Sequence, residues 1–449
     1  MIKKPKFTKI LLAGLNSGSG KTTAAMALAR LLIGYGWKVA PFKCGPDYLD
    51  TMMLAQAAER PAINLDSMFL SDDQLKETFD RHCAGCDIAL VEGVMGMFDG
   101  VSLDRFASSS DIARRLELPV VLVVNCKGMS QTIAPLVKGI VDWAPELNVI
   151  GVIGNNVNSR RHGTMISEAL AAAGLPPLLA SLPNDPKLKM AERHLGIAPN
   201  KLSIKQLDRM GEALELDYGV LVDALPEFAP PTPKSEALPP AEVRLGVAMD
   251  DAFNFYYEDN LHMLKRLGVE IVPFSPLHDA NLPQDLGGIY LGGGFPEIYA
   301  EQLAANNSML DSIRDFAAIG RPIYGECGGY LYLAESLIDQ VGNEHKFLGL
   351  LPGSARMGEK VAAIGYRNAV TRFPGFFGAA GTAFKGHEFH YSLLEQPSGV
   401  EPAFAAETIL SKVAFSGQQR DNIWASFYHL HFGSNPKALA NFVCALKEA

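Results

Sequence analysis

Residues 11–23 read LLAGLNSGSGKTT, and this stretch decides the fold of the first half of the chain. Its apolar start predicts a strand, residues 14–20 predict a glycine-rich turn, and apolar residues at helical spacing follow over 25–32. A strand, a glycine turn and a helix in this order can cradle phosphate, because backbone N–H groups and the positive end of the helix dipole face the anion. Lys21 can then reach the β- and γ-phosphates, and the Thr22 hydroxyl can hold Mg²⁺. We therefore predict a nucleotide-binding loop that opens a parallel α/β domain.

The spacing of this loop departs from the strict pattern, because position 15 is Leu15 and the nearest glycine is Gly14. The alternative interpretation is an ordinary Gly/Ser turn before a helix. The agreement of strand, loop, Gly-Lys-Thr and helix favours nucleotide binding. The loop residues expected around the nucleotide are Asn16, Ser17, Gly18, Ser19, Gly20, Lys21, Thr22 and Thr23.

The composition is that of a soluble globular protein of two or three domains, with 449 residues, 48% of them hydrophobic and 20% charged. Its net charge of −9 argues against a nucleic-acid-binding surface as the main function. No run approaches the roughly 20 apolar residues of a membrane span. The apolar residues near the amino terminus are needed for the strand before the loop. We therefore expect no nucleic-acid partner, no membrane partner and no export.

The cysteines point to a reducing compartment. Six cysteines in a chain of this length do not make a disulfide framework, so we expect a cytoplasmic protein. Cys83 and Cys86 form a CxxC pair beside His82. Without a second pair this is a weak metal signal, and structural thiols are the favoured interpretation.

Apolar runs without polar alternation recur through the first half of the chain. They lie at 37–43, 87–91, 119–124 and 148–153, with a helical pattern over 71–82. Such strands, separated by helices, indicate a parallel sheet that is buried on both faces. Function in such sheets gathers at the carboxyl ends of the strands. The segments predicted at those ends are 14–22, 43–50, 92–100 and Asn155.

Around residues 228–242 the composition changes, since the stretch PEFAPPTPKSEALPP carries six prolines and cannot continue a helix or a central strand. We predict a first domain over 1–227, a linker over 228–242 and a second domain over 243–449. Beyond the linker the alternation of elements restarts. The predicted strands are 243–248, 270–274, 287–291 and 322–324, with a helix over 257–267.

A candidate nucleophile lies in the second domain, where Gly325-Glu326-Cys327-Gly328-Gly329 joins a strand to a helical pattern. Glycines on both sides of Cys327 allow a sharp turn that presents the thiol. A helix N-terminus lowers a thiol pKa, so we expect a thiolate. The backbone N–H groups of Gly293, Gly294 and Gly328 are the expected oxyanion donors. The alternative for a single buried cysteine is a small core residue.

Two histidines offer a base for this nucleophile. His429 and His431 alternate along 424–432, which we predict to be one strand, so both should point to one face. One is expected to be catalytic and the other packed.

With these motifs the chain resembles the glutamine-dependent cobyrinic or hydrogenobyrinic acid a,c-diamide synthases and their relatives that amidate other tetrapyrroles. The resemblance implies a P-loop NTPase-like parallel-sheet synthetase domain, similar to dethiobiotin synthetase, followed by a class I glutaminase-like α/β domain. Besides the glycine loop, the matching segments are 42–50, 64–66, 92–96, 255–257, 291–297, 325–329, 386–392 and 425–432.

The resemblance also implies roles for single residues. Cys327 is the expected glutaminase nucleophile and His429 its base, while His431 stands where other class I glutaminases carry glutamate. Asn155 matches the position that reads adenine in the family. The implied Mg²⁺ partners are Thr22, Asp47 and Glu92. The implied substrate contacts are Lys43, Asp47, Tyr48, Leu49 and Asp50. For Asp47 and Asp50 the alternative is a solvated loop that caps a helix.

The implied reaction uses ATP and Mg²⁺ to convert a tetrapyrrole carboxylate into an acyl phosphate, which ammonia then attacks. Glutamine supplies the ammonia in the second domain, so an internal passage should join the two reactions. Two acetate side chains amidated in turn is the family expectation, and a homodimer is the expected assembly.

Two alternatives stay open at this point. After Asp50 the family usually has Pro, two residues and His, whereas this chain has Thr51-Met52-Met53-Leu54. That change makes sirohaem and nickel-sirohydrochlorin rival substrates. The second alternative is a non-catalytic nucleotide-switch protein, although such proteins usually carry an extra lysine before the two glycines, where this chain has Asn16.

Overall fold

The structure is a computed structural model that describes residues 4–101, 103–188, 202–232, 238–408 and 412–448. The chain divides into two compact units, of which the first holds the described residues up to 232 and the second those from 238 onward. Part of the predicted linker, residues 233–237, lies outside the described residues.

The first unit is built on one sheet, in which the described residues form eight strands in the order β3-β2-β4-β1-β5-β6-β7-β8. All neighbours pair in parallel except β7 and β8. The strands are β1 Thr8–Gly14, β2 Val39–Cys44, β3 Ile63–Leu65, β4 Ile88–Glu92, β5 Val120–Asn125, β6 Val149–Val157, β7 Leu178–Pro183 and β8 Glu215–Leu216. The helices are α1 Lys21–Gly34, α2 Tyr48–Ala58, α3 Asp72–Cys83, α4 Ser109–Arg115, α5 Ile133–Trp143, α6 Arg160–Ala172, α7 Ile204–Ala213 and α8 Tyr218–Ala224.

Local sequence accounts for these elements. The central strand β1 is buried along nearly its whole length, which explains its unbroken apolar run. Helix α1 packs an alanine- and leucine-rich side against the sheet in the main core of the unit. Helix α3 begins after Ser71, whose side chain forms a capping box with Gln74. The predicted strands and the helix predicted over 71–82 therefore match the structure to within a few residues.

The second unit has a central sheet in which the described residues form six strands in the order β11-β9-β12-β14-β24-β23, parallel except for the β23–β24 pair. Smaller sheets have the orders β10-β13, β16-β15-β17-β20 and β22-β21-β18-β19-β25. The strands of the central sheet and of the β10–β13 pair are β9 Val243–Ala248, β10 Phe253–Phe255, β11 Val269–Phe274, β12 Gly288–Leu291, β13 Gly293–Gly294, β14 Ile323–Glu326, β23 Gln418–Arg420 and β24 Ile423–Ser426. The others are β15 Ser336–Ile338, β16 Glu344–Lys346, β17 Ser354–Met357, β18 Ala363–Thr371, β19 Ala383–His390, β20 Ser392–Glu395, β21 Phe404–Thr408, β22 Val413–Ser416 and β25 His429–Leu430. The helices are α9 Glu258–Arg266, α10 Ala300–Ala305, α11 Asn307–Ala318, α12 Gly328–Leu333 and α13 Pro436–Glu448.

One predicted element of this unit is wrong. The stretch 424–432 is not a single strand, because β24 ends at Ser426 and only His429–Leu430 pair again, with β19 of another sheet. His431 instead caps a short 3₁₀ turn over Phe432–Ser434. The two histidines therefore leave the backbone in different local structures.

No helix among the described residues is long and apolar enough to cross a membrane.

Candidate functional site

The glycine loop follows β1 and ends at Gly20, which has a φ of 96° and precedes the first turn of α1. A Cβ on Gly20 would lie 2.0 Å from Nδ2 of Asn155, so no other residue fits there without rearrangement. The Asn155 side chain, at the end of β6, donates to the Ser19 carbonyl over 3.0 Å. The fold thus brings Asn155 against the loop, although 136 residues separate it from Ser19.

Lys21 is buried and points back along the loop. Its Nζ donates to the carbonyls of Met95 at 2.5 Å and Asn16 at 3.2 Å. Burial, together with the positive charge of Lys43, lowers the pKa of Lys21. The loop after β4 therefore holds the ammonium group of Lys21 beside the phosphate cradle.

Glu92, the last residue of β4, is the centre of a buried polar cluster. Its Oε1 accepts hydrogen bonds from the Thr22 hydroxyl at 2.6 Å and from Lys43 Nζ at 2.8 Å. Lys43 also forms an ion pair of 2.7 Å with Asp50 Oδ2. Burial raises the pKa of Glu92 to about 7. Burial alone would lower the pKa of Lys43, but Glu92, Asp50 and Asp47 raise it on balance, so Lys43 is a cation.

The predicted substrate segment forms the start of α2. Asp47 caps that helix, with Oδ1 accepting from the Asp50 backbone N–H at 2.7 Å. Asp47 therefore has the helix-capping role of the alternative interpretation, whereas the Asp50 carboxylate forms an ion pair with Lys43. Tyr48 and Leu49 are half-buried in the first turn.

The remaining predicted loop residues differ in exposure. Asn16, Ser17 and Gly18 are exposed, Thr23 is half-buried and Ser19 is buried. In the part of the chain that the structure describes, no group of three or more His, Cys, Asp or Glu side chains is arranged to hold a metal ion.

In the second unit Cys327 stands between β14 and α12 with φ 47° and ψ −100°, a strained conformation for a residue with a side chain. Its backbone N–H donates to the Ser426 carbonyl at 2.8 Å. Gly329 permits the close approach, because a Cβ there would lie 2.0 Å from the Leu291 carbonyl oxygen. The sharp turn predicted from the flanking glycines is present, and it places the thiol at the carboxyl end of the central sheet.

The three predicted oxyanion glycines lie around this turn. The backbone N of Gly294 is 3.2 Å from the position that a Cβ on Gly328 would take. Gly294 has a φ of 155° and lies so close to Ala252 that a Cβ would clash with its carbonyl. Gly293 lies against the His429 ring, with Cε1 only 2.4 Å from the position of a Cβ.

His429 and His431 have different surroundings. His429 is buried and lies opposite His387 across the β19–β25 pair. Burial lowers the pKa of His429 to about 3, and the neighbouring His387 and His390 act in the same direction. His431 Nδ1 accepts from the Gly433 N–H at 3.2 Å, and its ring lies 5.2 Å from that of Tyr257. His429 is therefore the histidine that lies against the Gly293 backbone, whereas the His431 ring lies near Tyr257.

The thiolate expected from the helix N-terminus is wrong for this structure. Burial raises the pKa of Cys327 well above its ordinary value, and the negative charge of Glu297 raises it further, while the Gly328 N–H opposes them. The one-turn helix α12 does not overcome the loss of water around the thiol. The Cys327 thiol is therefore neutral in this structure, as is the buried imidazole of His429.

A neutral thiol has a measurable consequence in the protein without glutamine. The alkylation rate of Cys327 by iodoacetamide should rise about tenfold per pH unit between pH 6 and 9, because only the thiolate reacts. Peptide mass spectrometry would separate Cys327 from the exposed Cys444, which is the internal control. A rate for Cys327 that levels off below pH 8 would contradict the raised pKa.

Some residues near the site were missed from sequence. Glu326 belongs to the quoted motif, yet no role was predicted for it, although an acidic residue at the end of an apolar strand is a signal. A buried ion pair joins Arg367 Nε and Glu388 Oε2 at 2.7 Å, and His390 Nε2 lies 3.0 Å from Glu388 Oε1. Glu388 lies within the quoted segment 386–392.

In the first unit, the CxxC pair precedes β4 and so lies at the opposite end of that strand from Glu92. Cys83 ends α3, and both Cys83 and Cys86 are buried. Arg60 Nη1 donates to Cys86 Sγ at 2.9 Å.

Comparison with known proteins finds a matching family model for each half of the chain. Residues 10–197 match a family model described as the CobQ/CobB/MinD/ParA nucleotide binding domain, and residues 244–437 match one described as the CobB/CobQ-like glutamine amidotransferase domain. Three similar curated proteins are each called cobyrinate a,c-diamide synthase. That of Syntrophotalea carbinolica is 42% identical over 97% of this chain and 98% of its own length. Those of Dehalococcoides mccartyi and Streptococcus sanguinis are 40% and 37% identical, each over 98% of this chain and 99% of their own.

Proposed function

The chain belongs to the cobyrinate a,c-diamide synthase family, and from this premise we propose that it amidates two acetate side chains of cobyrinate in turn. It is a glutamine-dependent, ATP-driven amidotransferase with an ATP-binding first domain. The observation that carries the proposal is the presence, in one chain, of a glycine loop opening α1 and of a sharp turn that presents Cys327 at the end of a second sheet. A protein that only switches on nucleotide would have no use for the second site.

We propose that the first domain activates the carboxylate. Lys21 leaves its two carbonyl partners to neutralise charge on the β- and γ-phosphates, while residues 16–20 hold them with backbone N–H groups. Asn155, already against the loop, contacts the adenine side of the nucleotide. The oxygen of the substrate carboxylate attacks the γ-phosphorus, and ADP leaves.

The residues that the family resemblance implies as Mg²⁺ partners have oxygen atoms suited to this ion. Among the described residues, Glu92 Oε2 is a buried oxygen with no hydrogen-bond partner, and it belongs to the same carboxylate that accepts from the Thr22 hydroxyl. Thr22, Glu92 and Asp47 would hold the ion, directly or through water. Such sites need few protein ligands, because phosphate oxygens and water complete the coordination. The bound ion would offset negative charge on the phosphates.

On the substrate side we propose that the Lys43–Asp50 pair faces the carboxylate to be activated, with Asp47, Tyr48 and Leu49 beside it. Lys43 is a buried cation, so it can attract the carboxylate and the acyl phosphate that forms from it. Asp50 keeps Lys43 oriented through the 2.7 Å ion pair. Ammonia attacks the acyl carbon, and phosphate leaves.

The second domain releases that ammonia from glutamine. Cys327 attacks the side-chain amide as its proton moves to His429, and the developing oxyanion meets the N–H groups of Gly293, Gly294 and Gly328. His429 then protonates the leaving ammonia. Water cleaves the thioester and frees glutamate and the thiol.

Product mass tests the proposal most directly. Incubation with ATP, Mg²⁺, glutamine and cobyrinate should give a product about two daltons lighter, because each conversion of a carboxylate to an amide lowers the mass by about one dalton. Hydrogenobyrinate, sirohaem and nickel-sirohydrochlorin are tested in parallel, since Thr51–Leu54 departs from the family pattern. Conversion of only sirohaem or nickel-sirohydrochlorin would contradict cobyrinate as the substrate. ATP hydrolysis without conversion of any of the four compounds would favour a nucleotide-switch protein.

The assembly is also a proposal. We propose that the protein is a homodimer in the cytoplasm. We propose no nucleic-acid or membrane partner for it.

A further inference from the structure

We propose that Glu326 is a positioning residue for His429, and that its buried carboxylate takes the place of the glutamate that other class I glutaminases carry two residues after the catalytic histidine. The inference rests on the proposed role of Cys327 and His429 in glutamine hydrolysis. It does not depend on which tetrapyrrole is amidated.

The position of Glu326 carries the argument. Glu326 is the last residue of β14, is only 1% exposed, and directly precedes Cys327. Its Oε2 lies 3.8 Å from Nδ1 of His429. This separation exceeds a hydrogen bond, but contacts of this kind are often long before substrate binds and tighten during the reaction. Glu326 thus lies on the Nδ1 side of the imidazole, and under this proposal Nε2 exchanges the proton with the thiol.

Three donors hold the Glu326 carboxylate in place. The Tyr290 hydroxyl donates to Oε2 at 2.6 Å, the Tyr324 hydroxyl donates to Oε1 at 2.7 Å, and the Leu430 N–H donates to Oε1 at 2.9 Å. Since all three donate, the carboxylate accepts, which favours its ionised form. The Leu430 contact also ties Glu326 to the residue that follows His429. The carboxylate is therefore held beside the segment that carries His429.

Position 431 cannot supply this negative charge. His431 carries no negative charge, its Nδ1 accepts from the Gly433 N–H, and its ring lies against Tyr257. Glu326, by contrast, is an acidic residue with an oxygen within 4 Å of a His429 nitrogen. The chain thus has a carboxylate at the histidine, but it comes from the strand that carries the nucleophile.

The chemistry explains why a carboxylate is needed there. When Cys327 attacks glutamine, the S–C bond forms, and the thiol proton moves to Nε2 of His429. The same proton later leaves with ammonia as the C–N bond breaks. Between these steps His429 is a buried imidazolium, which burial strongly disfavours, as its lowered pKa shows. An ionised Glu326 beside Nδ1 would stabilise the imidazolium and hold the ring in the productive tautomer.

Other titratable groups surround this pair. His387 and His390 lower the pKa of His429, so they oppose its protonation. Burial raises the pKa of Glu326 itself to about 7, while Tyr290, Tyr324 and the Leu430 N–H oppose that rise. Glu297 and Glu388 act on Cys327 and raise the pKa of its thiol.

Glu326→Gln tests the proposal, since it removes the charge at nearly constant volume. Glutamate release should lose about 10²-fold or more in kcat, with the KM for glutamine within about twofold. The acid limb of kcat/KM should also move down by about one pH unit or more, because His429 loses a stabilising charge. Glu326→Asp should recover part of kcat. Glu258→Gln, which makes the same change at a half-buried carboxylate at the start of α9, is the matched control and should leave kcat and the acid limb in place.

Thermal unfolding checks that each variant is folded, and neither this nor glutamate release needs a tetrapyrrole. A wrong acceptor in the proposed function therefore leaves this test intact. A folded Glu326→Gln protein with kcat within threefold of the parent, or with reduced kcat and an unchanged acid limb, would overturn the proposal. If Glu326→Gln fails to fold, Tyr290→Phe tests the proposal instead. This variant removes only the hydroxyl that donates to Glu326 Oε2. A selective fall in glutaminase kcat supports the proposal, and no selective fall overturns it.

Discussion

Cys327→Ser is expected to abolish amidation with glutamine while amidation with ammonium chloride continues at near the parent rate. A serine hydroxyl is a far weaker nucleophile than a thiol, and the buried site that raises the pKa of Cys327 would disfavour an alkoxide even more. The fall in glutamine-dependent product should be about 10³-fold or more. Free ammonia bypasses the second domain, so the synthetase reaction needs no thiol.

The measurement compares product formed from glutamine and from ammonium chloride by the same preparation. Cys444→Ser is the matched control, because it makes the same change at an exposed cysteine on α13. It should leave both rates within about twofold of the parent. Retention of glutamine-dependent product in Cys327→Ser would remove Cys327 from the reaction and the two-site proposal with it.

Lys21→Met should have the opposite pattern, with amidation lost whichever nitrogen source is supplied and glutamate release retained. The methionine keeps the apolar length of the side chain in a buried site but cannot neutralise charge on the phosphates. We expect a loss of about 10³-fold in amidation, as for other groups that stabilise a transferring phosphoryl group.

Lys9→Met supplies the control for this change. Lys9 lies on β1, and its Nζ also donates to a backbone carbonyl, that of Leu116, at 2.8 Å. It has no part in the proposed reaction, so amidation should stay within about threefold of the parent. Equal losses in Lys9→Met and Lys21→Met would mean that the effect comes from the fold of the domain and not from phosphate binding.

Much of the first domain was predictable because its signals are local. The order of apolar run, glycine turn, Gly-Lys-Thr and helical pattern favours a nucleotide-binding loop over an ordinary Gly/Ser turn, and the structure has β1, the loop and α1 in that order. Strand ends in parallel sheets meet at one edge, so Lys43, Glu92 and Asn155 could be placed near the loop before any coordinates. Their partners could not: the Glu92 contacts with Thr22 and Lys43 depend on side-chain directions.

In the second domain the sequence by itself determined the sharp turn at Cys327, since the glycines around this residue act within a few positions. Only the tertiary structure decided the protonation of that thiol, the separate surroundings of His429 and His431, and the approach of Glu326 to His429. The physical reason is how far apart in the sequence the interacting residues lie. Backbone turns and periodicity follow from neighbouring residues, whereas desolvation and charge contacts depend on groups that meet only after the chain has folded, as Glu326 and His429 do from 103 positions apart.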